Sequence, residues 1–164
     1  MPSRLYAVDP GLRCCGAAYF EDSILQWAKL IDGNIGDCPW QPMAWALMAD
    51  EVEDGTAIRG VPECRFVVEF PRAYVGAKSG GDYEDLLQLA AVIGAMRPHQ
   101  IVRPHEWKGQ LDKKRCHERI LERLSEEEES RIVRAGAKTH NVLDAVGIGL
   151  FCLGRFNRRR VFSS

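Results

Sequence analysis

The chain has 164 residues, 46% of them hydrophobic and 27% charged, with a formal net charge of −1. That balance is the one of a soluble globular protein, here a single domain over 1–164 with a sizeable core, and it carries no global signature of a nucleic-acid binder. The longest apolar stretch, 142–153, is too short for a bilayer and holds Asp144, and no secretory segment opens the sequence, so no membrane contact is expected.

Six cysteines include no C-x-x-C pair and no zinc spacing, and several lie in apolar runs, as free thiols of a reducing cytoplasm do. The charges are segregated. Basic residues gather over 97–119 and at Arg155, Arg158, Arg159 and Arg160, whereas acids gather over 50–54 and 126–129. Such segregation makes a basic face for a polyanion, or simply solvated helix surfaces.

In chain order, strands are predicted over 4–8, 14–20 and 24–31, joined by Asp9-Pro10-Gly11 and Glu21-Asp22-Ser23. Connections that short require antiparallel neighbours. A loop over 32–37 and a helix over 39–53 follow, and 55–63 returns the chain to the sheet. The near-continuous apolar run over 65–71 reads as a buried parallel strand. A flexible loop over 77–82 precedes a helix over 83–96, whose apolar face (Leu86, Leu87, Leu89, Ala90, Ile93) is wider than one sheet contact needs. Then come a brief strand over 101–103, a loop over 105–110 and a basic helix over 113–124. A capping box at Ser125 and Glu128 starts a short helix, and Thr139 caps a last helix that closes near Gly154. The expected architecture is α/β: a five-stranded mixed sheet, an antiparallel three-strand meander plus two parallel strands, flanked by helices.

Three acids share one anomaly, each being a lone carboxylate in an apolar element. Asp9 ends the first strand, Glu69 ends the fourth, and Asp144 lies inside the last helix. Taken alone, Asp9 either caps its turn in water or ligates a metal. If the first and fourth strands are neighbours, Asp9 and Glu69 stand side by side, and a closing helix can present Asp144 to the same point. Clustered carboxylates raise one another's pKa unless divalent cations neutralise them, and an all-carboxylate set selects Mg²⁺ or Mn²⁺. Two such ions about 4 Å apart form a clamp for in-line attack on a phosphodiester.

The strand-Asp-Pro-Gly-x-x-x-x-Gly start, the strand-ending glutamate and Asp144-Ala145 on the last helix resemble RuvC-type Holliday-junction resolvases of the RNase H-like superfamily, over residues 5–153. The resemblance implies an RNase H-like fold and a Mg²⁺-dependent endonuclease, with Mn²⁺ able to substitute, that cuts four-way DNA junctions as a homodimer in a bacterial or phage-encoded setting. It implies two ions per site, with Asp9 bridging them, Glu69 on one and Asp144 on the other, and products ending in 5′-phosphate and 3′-hydroxyl. Where the family carries an acid or a histidine three residues before the last aspartate, this chain has Asn141, with His140 beside it. Either can fill the fourth place: Asn141 through its carbonyl, His140 as ligand, proton shuttle or phosphate contact.

By the same resemblance Lys108, and Lys113 or Lys114, meet DNA phosphates. Residues 70–83 match a loop that enters the junction centre, with Tyr74 or Phe70 stacking on a base and Arg72 and Lys78 on the backbone. Alternatives within reach are an RNase H-like nuclease on RNA or RNA–DNA hybrids, and a junction-binding module weakened at Asn141.

Overall fold

Three strands, β1 (Arg4–Asp9), β2 (Cys14–Glu21) and β3 (Ile24–Asp32), form an antiparallel meander in the computed structural model, which describes residues 3–32, 64–71 and 81–157. The β2–β3 turn is tight because Asp22 and Ser23 both take positive φ (49° and 69°), the twist-matched geometry of a two-residue hairpin. β4 (Cys64–Glu69) pairs parallel with β1, and β5 (Gln100–Val102) pairs parallel with β4, so the sheet order is β3-β2-β1-β4-β5. This is the expected mixed five-stranded sheet. The expected loop over 32–37, helix over 39–53, return over 55–63 and most of the loop over 77–82 lie outside the described residues.

Among the described residues there are five α-helices: α1 (Gly81–Met96), α2 (Pro104–Trp107), α3 (Lys113–Leu121), α4 (Glu126–Ser130) and α5 (Thr139–Cys152). Some boundaries differ from expectation. β1 runs on through Asp9, and β5 ends one residue early because Arg103 turns to head α2. α2 stands where a loop was expected. Pro104 opens it without losing a hydrogen bond, and Glu106 accepts from the Arg103 N–H at 2.5 Å. α3 is capped by Asp112 and stops at Leu121, three residues short of expectation, its exit tightened by i−3 bonds from Arg123 and Leu124. Thr139 is the first residue of α5 rather than its cap. A 3₁₀ turn, Gly136–Lys138, precedes it, and the Thr139 hydroxyl donates back to the Gly136 carbonyl at 2.8 Å.

Strand alternation sorts the sheet into two cores. Tyr6, Val8, Phe66 and Val68 face α1 through Val92, Ile93 and Met96. Leu5, Ala7, Ala18, Phe20 and Val67 face α5, Trp107 and α3. α5 lies very close to the sheet, and two glycines permit it. A Cβ on Gly16 of β2 would overlap the Asn141 carbonyl, and one on Gly149 would overlap the Phe20 ring. A third, Gly147, sits against Trp107 and the Ile120 Cδ1 of α3.

The free edge of β3 is covered by the chain after α4: Ala28 N–H donates to the Arg131 carbonyl, and Val133 N–H donates to the Ala28 carbonyl. Glu128 pins this corner. It is 5% exposed and accepts from Leu25 N–H at 2.9 Å, Ser125 N–H at 3.0 Å, and the Arg155 guanidinium through both oxygens at 2.5 and 2.9 Å. Burial pushes this carboxyl up, but the Arg155 fork and the two backbone donors outweigh it and pull it down from 4.5 to about 2. A depressed folded-state pKa gives stability that is present above about 4.5 and lost as pH falls toward about 2. Glu128→Gln should therefore destabilise the protein by about 3 kcal/mol at neutral pH and by far less near pH 2. Thermal melts of both proteins across that range check it; a constant difference between them would refute the assignment.

Candidate active site

The parity that builds the α5-side core also aims the acids. Asp9 alternates with Ala7, and Glu69 with Val67, so both project toward α5. The β1–β4 register ends at Val8 opposite Val68, and continued by one residue it sets Asp9 beside Glu69. Asp144 is buried on α5, one helical turn from Asn141, whose carbonyl rests over Gly16. Gly16 is itself the partner of Asp9 across the β1–β2 pair. The absent side chain at Gly16 thus brings the α5 segment that carries Asp144 down at the strand position next to Asp9.

Lys108 sits among these acids. Its ammonium donates to Asp144 Oδ2 at 3.0 Å and lies 3.6 Å from Glu69 Oε2. It also stands 4.6 Å from the Trp107 ring centroid, and the Trp107 indole N–H donates to Glu69 Oε2 at 2.5 Å. The other Asp144 oxygen, Oδ1, is 3.0 Å from His117 Nε2 of α3. Burial, then the charges of Glu69 and Asp144, holds the Asp9 carboxyl well above the usual range, although Lys108 and Lys113 oppose the shift. Glu69 is raised by burial, which outweighs Lys108 and the indole. Burial alone would lower the Lys108 ammonium, but Glu69 and then Asp144 outweigh it and raise it instead. Two carboxyls whose ionisation is opposed, Asp9 and Glu69, with Asp144 on the same ammonium as Glu69, are an electrostatic arrangement made for positive charge.

The other expected site residues are placed as follows. The Asn141 amide reaches Cys14 Sγ at 4.0 Å, a weak contact, and the His140 ring bonds to the Ala137 carbonyl at 2.8 Å. Lys113 is exposed at the start of α3, and its charge acts on Asp9; Lys114 lies 3.9 Å from Glu118 along the helix surface. Phe70 is exposed just past β4. Arg72, Tyr74 and Lys78 lie outside the described residues.

Comparison with solved structures matches this arrangement of strands and helices. Thermus thermophilus RuvC in complex with a Holliday-junction substrate superposes with a TM-score of 0.56 at 16% identity, covering 90% of this chain and 90% of that one. A second structure of Thermus thermophilus RuvC gives 0.51 at 16% identity, covering 93% and 97%. The fold is RuvC-like. No protein-family model matches the chain, and no curated protein matches it in sequence.

Within this RuvC-like fold, the oxygen donors of Asp9, Glu69 and Asp144 are of the kind that hard divalent ions take. Among the described residues no three His, Cys, Asp or Glu side chains already stand in coordinating geometry. The space between Glu69 and Asp144 is instead taken by the Lys108 ammonium, a cation held by two carboxylates. By donor chemistry the acids suit a divalent ion, and the Lys108 ammonium lies on two of them.

Trp107 and His117 were not among the expected site residues. Tryptophan beside Lys108 reads as core, and Trp107 is core, being 2% exposed; its indole N–H reaches Glu69 only because Gly147 admits the ring. His117 left one sequence signal. It lies one turn after Lys113 on the same stripe as Cys116 and Ile120, the buried side of α3.

Proposed function

We propose that this chain is a Mg²⁺-dependent crossover-junction endodeoxyribonuclease, an enzyme that hydrolyses phosphodiesters in four-way DNA junctions to leave 5′-phosphate and 3′-hydroxyl ends. The observation that carries the reading is the gathering of Asp9, Glu69 and Asp144 from β1, β4 and α5 around one cation. It occurs on a fold shared with a RuvC whose structure was solved with a Holliday-junction substrate.

In this reading Asp9, Glu69 and Asp144 hold two Mg²⁺ ions, or Mn²⁺ in their place. When bound, the ions supply Lewis-acid stabilisation of the phosphoryl charge and lower the pKa of water. The chain's own groups do the rest. The Trp107 indole fixes Glu69 Oε2, so this carboxylate keeps one orientation while its other oxygen is free to ligate. Lys108, buried enough for its charge to be poorly screened, turns its ammonium to the scissile phosphate and offsets charge that builds in the transition state. Lys113, at the exposed start of α3, meets a flanking phosphate, with Lys114 further along the same strand. Arg72, Tyr74 and Lys78 contact the junction centre, where an aromatic ring stacks on an unpaired base. His140 and Asn141 border the site at the start of α5.

A homodimer completes the reading. On α1, Leu87 is 74% and Tyr83 53% exposed although the opposite side of the helix is buried, so an apolar strip is left for a two-fold partner. Two copies related in this way set two sites against the two opposed strands of a symmetric junction.

The test is incubation of the protein with a labelled four-way junction, a matched duplex and an RNA–DNA hybrid, in Mg²⁺ and then Mn²⁺. Symmetric paired nicks in the junction, with none in the duplex, are expected. Cutting of the hybrid alone would move the assignment to an RNase H-like activity. Tight junction binding without cutting in either metal would make the chain a binding module.

A further inference from the structure

We propose that His117 is a positioning residue of this site: it fixes Asp144 by a hydrogen bond from α3, a task for which Asn141 and His140 are wrongly placed. The inference rests on the nuclease reading above and deepens it.

The two oxygens of Asp144 have different partners. Oδ1 is 3.0 Å from His117 Nε2, and Oδ2 is 3.0 Å from Lys108 Nζ. In a bond between a carboxylate oxygen and an imidazole N–H the oxygen accepts, which gives His117 the donor's part in the proposed role. With Oδ1 held from α3, the carboxylate cannot rotate about its own axis, and Oδ2 stays on the Glu69 side, where the cation sits. His117 is largely enclosed, its side chain being 17% exposed, so water competes poorly for the bond.

The contact depends on how α3 and α5 pack. Ile120, one turn after His117, meets α5 at Gly147, one turn after Asp144. Any side chain at 147 would push against Ile120 Cδ1 and the Trp107 ring and part the helices at the level of the His117–Asp144 bond. The two residues at the start of α5 are directed elsewhere. The Asn141 amide points to Cys14 Sγ, and the His140 ring is bonded to the Ala137 carbonyl of its own chain turn. In the described residues, the imidazole that reaches Asp144 comes from a different helix.

An outer-sphere group that orients a metal-binding side chain is worth about 10–100-fold in metal affinity when removed. The experiment measures Mn²⁺ binding to the full chain without DNA by calorimetry, and the Mg²⁺ dependence of junction cleavage. The proteins are wild type, His117→Gln and His117→Met. Gln places an amide N–H near the Nε2 position; Met keeps the length and removes the donor. His117→Met should bind Mn²⁺ about 10–100-fold more weakly and need correspondingly more Mg²⁺ for half-maximal cleavage, with kcat at saturating metal changed much less. His117→Gln should recover most of both. A merely structural role would instead lower the metal-free melting temperature and leave the metal dependence where it was. Wild-type Mn²⁺ affinity in His117→Met, or Gln behaving like Met while both stay folded, would overturn the proposal and leave the nuclease reading intact. If His117→Met fails to fold, the Gln variant alone decides, because retained metal affinity is expected of it and a Met-like loss in a folded protein refutes the role. A wild-type protein that neither binds Mn²⁺ nor cuts the junction would overturn both.

Discussion

Asp9→Asn should abolish junction cleavage while junction binding survives. The substitution is nearly isosteric and removes one charged oxygen at the place where β1, β4 and α5 converge. If Asp9 bridges two ions, losing it removes several kcal/mol of transition-state stabilisation, about a thousandfold or more in rate. Under the proposed function, binding draws on Lys113 or Lys114 and other phosphate contacts outside the carboxylate cluster, so it should persist. The same variant has a second, opposite signature. Burial and the neighbouring charges of Glu69 and Asp144 raise the Asp9 pKa above 3.8, so the stability this group gives is full below 3.8 and is lost as the pH rises from there through the raised value. A neutral amide avoids that loss. Metal-free Asp9→Asn should therefore melt no lower than wild type at neutral pH, yet lose the stabilisation that added Mg²⁺ or Mn²⁺ gives the parent. Cleavage at the wild-type rate would remove Asp9 from the site. A lower metal-free melting temperature with unchanged metal response would make Asp9 a turn cap instead.

Gly16→Ala should damage both stability and activity, although Gly16 carries no functional group. Its missing side chain is where the Asn141 carbonyl lies, and that neighbour is helix backbone with no rotamer to yield. Forcing a methyl group into such a contact costs about 1–3 kcal/mol, and the relief available is for α5 to lift from β2. Because Asp144 rides on that helix, lifting it moves the carboxylate away from Asp9 and Glu69. A displacement near 1 Å in a reacting constellation costs on the order of a hundredfold in rate. Chemical denaturation checks the stability loss, and cleavage measured far below the unfolding transition checks the second effect. A variant that loses stability but cleaves normally would show that α5 adjusts elsewhere and that Gly16 does not set the height of Asp144.

Each strand and helix among the described residues was legible in sequence to the extent that its signal was local. The meander follows from three short apolar runs with connections too short for a crossover, and β4 from an unbroken apolar run ending in Glu69. The same locality exposed Asp9, Glu69 and Asp144, since a lone carboxylate in an apolar element is visible without knowing what surrounds it. The helix at Pro104–Trp107 was missed because a four-residue helix has no periodicity to detect. Thr139 read as a cap because hydroxyl before an apolar run is the usual sign, whereas the 3₁₀ turn ahead of it put Thr139 one position inside.

What the sequence by itself determined is therefore the set of strands, the parity that turns Asp9 and Glu69 to one face, and the three acids. Only the tertiary structure decided who attends them. Trp107 reaches Glu69, Lys108 spans Glu69 and Asp144, and His117 takes Asp144 from a neighbouring helix. Asn141 and His140, adjacent to Asp144 in sequence, are turned to Cys14 and Ala137. The physical reason is that a hydrogen bond depends on distances of a few tenths of an ångström. Those distances are set here by how closely Gly16, Gly147 and Gly149 let α5 approach β2, α3 and Phe20, which no run of residues records locally.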